Sequence, residues 1–196
     1  MKRTPRQHLI STYPELEQFF ESVEIPDSLS ASGDPTPHAV LRTVIGQMLS
    51  TSVARTIHER VIEKASLLQL EEAWMLDSDS LRECGLSRNK CRAIIEFRDS
   101  YMKNPDEIDQ WCTLSWEGLR SVVKRNWGMS DWTAGILGIF HFGHTDIFPA
   151  GDGSLRRALA CLRDKYPTVV IEPNRCRPYR SFLALALWSA LDNNVI

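Results

Sequence analysis

Residues 127–157 read WGMSDWTAGILGIFHFGHTDIFPAGDGSLRR. A turn from Gly128 to Asp131 separates an apolar run from a second run with helical spacing, so the segment predicts two helices joined by a tight turn. Backbone N–H groups at the start of the second helix can face an external anion. Further along, two glycines flank Asp152. We expect the backbone to bend sharply there and to leave this carboxylate uncovered at the start of a third helix.

This segment resembles the helix-hairpin-helix (HhH-GPD) superfamily of DNA glycosylases, and within it the 3-methyladenine DNA glycosylase II type. The resemblance is carried by a hairpin and by the aspartate segment after it, at Gly128, Trp132, Thr133 and Ala134 and at Asp146, Phe148, Pro149 and Asp152. Two positions differ from the family pattern. Ser130 replaces the second glycine of the hairpin, and Asp131 places an acid where a DNA phosphate is expected nearby.

Three further stretches match the family in the same order along the chain. They are GQMLS at residues 46–50, GLSRNK at residues 85–90, and RPYRS at residues 177–181 followed by Trp188. No single stretch would be sufficient, because short motifs match by chance. Their concurrence over most of the chain from His38 onward indicates the family.

The resemblance implies a role for each of several residues. Asp152 is expected to be the catalytic carboxylate, and the base pocket is expected to contain Trp132, Trp188 and Ile136. Gln47 and Met48 are expected to form the wedge that enters the duplex. The residues expected to contact the DNA backbone are Gly128, Ser130, Thr133, Arg88, Lys90 and Arg156.

The residue types fit this chemistry. Breaking a base–sugar bond builds positive charge on the deoxyribose, and a carboxylate in a poorly hydrated cleft stabilises that charge. Aromatic faces attract cationic alkylated purines. Relatives that also nick the strand carry a lysine at the position of Trp132. The tryptophan therefore predicts a monofunctional glycosylase that leaves an abasic site.

Structural interpretations remain open for the same residues. Asp152 precedes a helix and is suited to be its N-cap. Met48 can be core filler, Gln47 can cap a helix or face solvent, and the tryptophans can be core aromatics. Arg88 and Lys90 lie in the first turn of a predicted helix, where acids are favoured. That placement fits either an external anion or a solvated turn.

Composition and charge are those of an ordinary globular protein. The chain has 196 residues, 43% hydrophobic and 24% charged, with a net charge of −2. The average hides an asymmetry: residues 120–196 hold 10 basic and 6 acidic side chains, and the preceding residues hold 13 and 19. The basic part also contains the hairpin and Asp152. A local basic patch of this kind can bind DNA in a salt-sensitive way, although a solvated charged face is equally consistent.

We expect the protein to work without a cofactor. The five cysteines are scattered and form no C-x-x-C pair, and the four clustered cysteines that hold an iron–sulfur centre in some relatives are absent from the sequence. The family often holds one monovalent or divalent cation through backbone carbonyls of the hairpin, so Gly128 marks a candidate backbone cation site. Because the sequence has no apolar signal segment, we expect a cytoplasmic protein that binds no membrane, nucleoid-associated in a bacterium or nuclear in a eukaryote. Its expected partner is double-stranded DNA that contains a damaged base. We expect the protein to be a monomer.

Helical periodicity predominates, which predicts an all-α protein. Its first helix is predicted over residues 14–23. By resemblance, residues 36–142 would form a six-helix lobe ending in the helix-hairpin-helix, and residues 1–35 plus 143–196 a second helical lobe. The predicted function is base excision of a damaged, alkylated base. The alternatives are a non-catalytic helix-hairpin-helix protein that binds DNA structure and a helical protein-interaction scaffold.

Overall fold

The computed structural model describes residues 3–196, and every regular element within that range is helical. This confirms the predicted all-α fold class. In chain order the α-helices are α1 (Pro5–Thr12), α2 (Glu17–Ser22), α3 (Thr36–Gly46), α4 (Thr51–Leu67), α5 (Ser78–Glu83), α6 (Arg88–Lys103), α7 (Pro105–Asp109), α8 (Trp116–Lys124), α9 (Asp131–Phe140), α10 (Gly153–Lys165) and α11 (Arg180–Asp192). In the described range, no helix combines the length and apolar character that a membrane span requires.

The chain forms two compact units. One consists of Met1–Ala31 with Gly138–Ile196, and the other of Ser32–Leu137. In the first unit, α10 packs against α11, and Leu155 and Leu183 are fully buried. The hydroxyl of Tyr13 donates to the carbonyl oxygen of Glu172 at 2.9 Å and accepts from its N–H at 2.7 Å. This pair of bonds fastens the N-terminal segment to the C-terminal part of the same unit.

The N-terminal segment differs from its prediction. A single helix over residues 14–23 is wrong in detail, since a 3-10 turn at Pro14–Leu16 leads into α2 and a separate helix, α1, precedes it. Helix α1 begins with a capping box: Thr4 Oγ1 accepts from the N–H of Gln7, and Gln7 Oε1 accepts from the N–H of Thr4. Pro5 occupies the first turn, where its missing N–H costs nothing.

The second unit is built around α3. This helix buries eight of its eleven residues, among them Val40, Val44 and Ile45, and it packs against α4 and α6. In α3, the apolar residues Val40, Leu41, Val44 and Ile45 recur at three- and four-residue intervals, which places them on the same side of the helix. Later in this unit, α8 and the start of α9 form the helical hairpin, with the turn at residues 125–130.

Candidate functional site

Asp152 caps the N-terminus of α10. Its Oδ1 atom accepts a hydrogen bond from the backbone N–H of Leu155 at 2.8 Å and another from the indole N–H of Trp188 at 3.2 Å. The residue is half-buried. A carboxylate offers about four acceptor sites on its two oxygens, so capping a helix does not exhaust it. The two interpretations of Asp152, a helix cap and a reactive carboxylate, are therefore compatible.

Trp188 lies against a second aromatic ring, that of Phe140. The ring centroids are 5.6 Å apart and the planes are tilted by 35°. Trp188 is half-buried and Phe140 is 48% exposed, so the pair presents an aromatic surface beside Asp152. Phe140 is not among the predicted site residues, because helical spacing alone does not show whether a side chain is exposed. Its exposure on the last turn of α9 becomes apparent only in the structure.

One face of α9 is only partly covered. Trp132, Ile136 and Phe140 follow one another at four-residue intervals and therefore share a face of the helix. The first two are half-buried and the third is exposed, whereas Thr133 and Leu137 are buried. The structure thus leaves apolar side chains accessible along this face. The role of Trp132 and Ile136 in contacting a base stays a prediction.

The segment that leads to Asp152 is fastened to the start of α11. Arg180 donates from Nε to Asp146 Oδ1 and from Nη2 to the Asp146 carbonyl oxygen, each at 2.7 Å. Ser181 Oγ accepts from the N–H of Ile147 at 2.9 Å. Helix α11 also carries Trp188, whose indole N–H donates to Asp152. These contacts therefore hold Asp152 and Trp188 in fixed positions relative to each other. Arg180 and Ser181 belong to the RPYRS stretch that resembles the family, but the resemblance implied no role for either residue.

The hairpin turn depends on Gly128. Its φ is +74°, in the left-handed region that favours glycine, and a Cβ atom built there would lie 2.9 Å from the Cβ of Ala93. The turn therefore packs against α6 too closely for any side chain. Gly128 and Ser130 are both exposed. The Ser130 carbonyl oxygen accepts from the N–H of Ala134 at 3.0 Å, so Ser130 stands at the beginning of α9.

Asp131 is neutralised by two basic residues of α8. Its carboxylate accepts bidentate hydrogen bonds from Arg120, both at 2.8 Å, and forms an ion pair with Lys124 at 2.9 Å. The hydrogen bonds from Arg120 and then from Lys124 hold the pKa of Asp131 well below its usual range. The acid therefore does not present an unpaired negative charge beside the hairpin. Arg120 and Lys124, in turn, are less available to a DNA phosphate because they pair with Asp131.

Two residues predicted to contact the DNA backbone point elsewhere. Thr133 is fully buried, and its Oγ1 accepts from the N–H of Ser130 at 3.2 Å, so its side chain supports the hairpin from inside. Lys90 donates from Nζ to the carbonyl oxygen of Ile45 at 2.8 Å, at the C-terminal end of α3. A cation is favoured at that end of a helix. Burial lowers the pKa of Lys90. These bonds hold both side chains within the protein, and a role of Thr133 and Lys90 in contacting the DNA backbone stays a prediction.

The side chains of the two predicted wedge residues, Gln47 and Met48, lie in different surroundings. Met48 does not lie on a helix, because α3 ends at Gly46; its side chain is 99% exposed and its φ is +57°. The interpretation of Met48 as core filler is therefore wrong. Gln47 is half-buried, and its Nε2 donates to the carbonyl oxygen of Gly128 at 3.0 Å and to Thr133 Oγ1 at 3.1 Å. Gln47 thus supports the hairpin, and it does not project with Met48.

Arg88 and Arg156 are both exposed. Arg88 borders an open groove on α5 and α6 whose other lining residues are Ser78, Asp79, Arg82, Arg92, Ile95 and Glu96. Arg156 is in the first turns of α10, close in sequence to Asp152. Both side chains are placed where they can reach an external anion. Of the predicted backbone contacts, these two arginines with Gly128 and Ser130 remain available.

The carbonyl oxygen of Gly128 is the candidate ligand for a cation in the hairpin. It already accepts a hydrogen bond from Gln47 Nε2, and a cation on the same oxygen would lie against the positive end of that amide. A backbone carbonyl oxygen has a second lone pair, and the candidate cation site at Gly128 stays a prediction. In the part of the chain that the structure describes, no group of three or more histidine, cysteine, aspartate or glutamate residues is arranged to hold a metal ion.

Comparisons with known proteins identify the family of this chain. A family model described as "HhH-GPD superfamily base excision DNA repair protein" matches residues 41–164. The chain is 25% identical to the alkylbase DNA glycosidase-like protein mag2 of Schizosaccharomyces pombe over 177 residues, covering 83% of this chain and 82% of that protein. It is 27% identical to DNA-3-methyladenine glycosylase 1 of the same yeast over 161 residues, 76% of this chain and 69% of that protein.

Among solved structures, the S. pombe 3-methyladenine DNA glycosylase Mag1 in complex with abasic DNA has a similar fold. The TM-score is 0.77 at 22% identity, and the alignment covers 96% of each chain. The family match spans more than half of the chain and includes the hairpin and Asp152. The chain therefore belongs to the HhH-GPD superfamily of base excision DNA repair proteins, as its motifs predicted.

Proposed function

We propose that this chain is a monofunctional DNA glycosylase of base excision repair, which hydrolyses the N-glycosidic bond of a flipped alkylated base in double-stranded DNA and leaves an abasic site. The observation that carries the proposal is the Asp152 carboxylate, held by Leu155 and Trp188 beside an aromatic pair. The family match and the similarity to glycosylases that act on alkylated bases support it.

The reaction needs a fixed negative charge near the sugar. As the bond from C1′ to the base breaks, its electron pair leaves with the base and the deoxyribose becomes positively charged. Asp152 stabilises that charge and can accept a hydrogen bond from the attacking water. The water adds a hydroxyl group to C1′, and its remaining proton passes to Asp152 and then to solvent, because a cationic alkylated purine departs as a neutral base. No electron acceptor or group carrier is required.

Selectivity for alkylated bases follows from the aromatic surface beside Asp152. Alkylation of a purine ring nitrogen gives the base a positive charge, which an aromatic face attracts by about 0.5–2 kcal/mol. Trp188 and the 48% exposed Phe140 supply such faces. The same positive charge makes the base a better leaving group. A neutral, undamaged base gains neither advantage, so the arrangement favours cationic alkylated purines.

The absence of strand nicking follows from Trp132. A glycosylase that also cleaves the strand forms a Schiff base between an amine and C1′. Tryptophan has no nucleophilic amine, and in the family the lysine of the nicking enzymes takes this position. The product of this chain is accordingly an intact strand with an abasic site.

DNA is held by a small set of exposed groups. The backbone of Gly128 and Ser130 faces the phosphates, Arg88 and Arg156 supply positive charge, and Met48 enters the base stack. With so few basic residues, binding is modest and salt-sensitive. The protein acts as a monomer without a cofactor or iron–sulfur cluster, in the cytoplasm and nucleoid of a bacterium or the nucleus of a eukaryote.

The proposal is tested with duplex DNA methylated by dimethyl sulfate, incubated with the protein at low salt in EDTA. We expect release of free methylated purines, and strand breaks that appear only after hot alkali. Breaks without alkali would contradict a monofunctional enzyme. Salt-sensitive binding without base release would point to the non-cutting DNA binder, and an absence of salt-dependent binding would point to the scaffold.

A further inference from the structure

The loop between α3 and α4 presents Met48 in a constrained geometry. Its side chain is 99% exposed although it is apolar, and its φ of +57° is uncommon for any residue other than glycine. The loop is closed by a hydrogen bond from the N–H of Leu49 to the carbonyl oxygen of Gly46 at 3.2 Å. After the loop, Ser50 caps α4 through the N–H of Val53. A short, well-defined turn therefore carries the exposed methionine.

This turn is attached to the hairpin by one side chain. Gln47 directly precedes Met48, and its carboxamide nitrogen donates to the Gly128 carbonyl oxygen at 3.0 Å and to Thr133 Oγ1 at 3.1 Å. A carboxamide has two N–H donors, and both are used on the hairpin. Thr133 is itself buried and accepts from the N–H of Ser130. The carboxamide of Gln47 thus links the loop that carries Met48 to the hairpin turn at Gly128 and to Thr133 in the first turn of α9.

A second contact restrains the other side of the same loop. Lys90, at the start of α6, donates to the carbonyl oxygen of Ile45 in the last turn of α3. That carbonyl has no partner further along the helix, because α3 ends at Gly46. The end of α3 is therefore fixed on α6, and α6 also contacts the hairpin closely through Ala93 and Gly128.

We propose that Gln47 is a positioning residue that joins the phosphate-binding hairpin to the Met48 wedge, so that binding of the DNA backbone determines where the wedge enters the base stack. This rests on the proposed function. A wedge holds a base step open only if it is fixed relative to the backbone, and a displacement of about 1 Å is enough to reduce a reaction strongly. Gln47 acts through Met48 and does not itself contact the base.

The test compares two duplexes that contain the same alkylated purine, one fully paired and one with the lesion in a one-nucleotide bulge, where less work is needed to extrude it. The variants are Gln47→Met, which keeps the length but removes both donors, Met48→Ala, and the double variant. The control is Gln110→Met, at an exposed glutamine of the same unit.

We expect Gln47→Met and Met48→Ala each to slow base release from the paired duplex about tenfold and release from the bulge less than about twofold. The double variant should be no slower than Met48→Ala alone, because both changes remove the same function. Gln110→Met should match the native protein. Equal losses on both duplexes, additive losses in the double variant, or native rates for Gln47→Met would overturn the inference. If the native protein released no base from either duplex, the proposed function itself would fail.

Discussion

Replacing Trp188 by phenylalanine separates two contributions of this residue to the site. Phenylalanine keeps an aromatic face against Phe140 but removes the N–H that donates to Asp152 at 3.2 Å. A hydrogen bond to a charged group contributes about 1.5–3 kcal/mol, and the half-buried position favours the lower end of that range. About 1.4 kcal/mol corresponds to a tenfold change in rate. We therefore expect Trp188→Phe to slow base release about tenfold.

The assay is single-turnover release of a methylated purine with the enzyme in excess, so that substrate affinity does not contribute. Trp116→Phe, at a half-buried tryptophan of α8, is the matched control and should retain the native rate. Trp188→Ala should be slower than Trp188→Phe, because it also removes the face that stacks with Phe140. A native rate for Trp188→Phe would refute the idea that the indole N–H positions the Asp152 carboxylate.

Three further predictions concern the hairpin. Gly128→Ala should lower the free energy of unfolding by about 2 kcal/mol and the Tm by about 4–8 °C, from its left-handed φ and the 2.9 Å approach to Ala93. Gly46→Ala, where no atom lies within 4 Å, is the control in thermal unfolding, and an equal loss there would contradict the steric argument. Asp131→Asn should strengthen DNA binding and steepen its salt dependence by up to about two units of slope, because it releases two basic partners. Because the pKa of Asp131 is depressed, its ion pairs stabilise the native protein at all pH values above about 4. This stabilisation is lost only as the pH falls towards the depressed pKa. The free energy of unfolding, measured from about pH 5 to 8, should therefore show no step from this residue.

Local motifs in the sequence predicted the fold and the helix start at Asp152. The turn at Gly128, the helix start at Asp152 and the helical periodicity around them depend on neighbouring residues, and each is present in the structure. The choice between a cap and a catalyst for Asp152 could not be made from spacing. Its contact with Trp188 joins residues 36 positions apart, and sequence alone does not reveal such a pair.

The sequence does not reveal the directions of several side chains, because contacts with residues distant in the sequence determine them. Lys90 has the positive charge of an anion-binding residue, but its ammonium group donates to the carbonyl oxygen of Ile45, 45 positions away. Gln47 reaches Gly128, 81 positions away, and so leaves Met48 as the projecting residue. Phe140 follows Ile136 at a helical interval, but helical spacing does not distinguish a buried face from a half-covered one.

Replacing Asp152 by asparagine tests the catalytic assignment most directly. Asparagine also caps helices well, and its side-chain oxygen can still accept from Leu155 and Trp188, so the change removes the charge and preserves the local structure. We predict that release of methylated purines from duplex DNA falls at least about 100-fold, with native Tm and native DNA affinity. Base release by Asp152→Asn at the native rate would contradict the account.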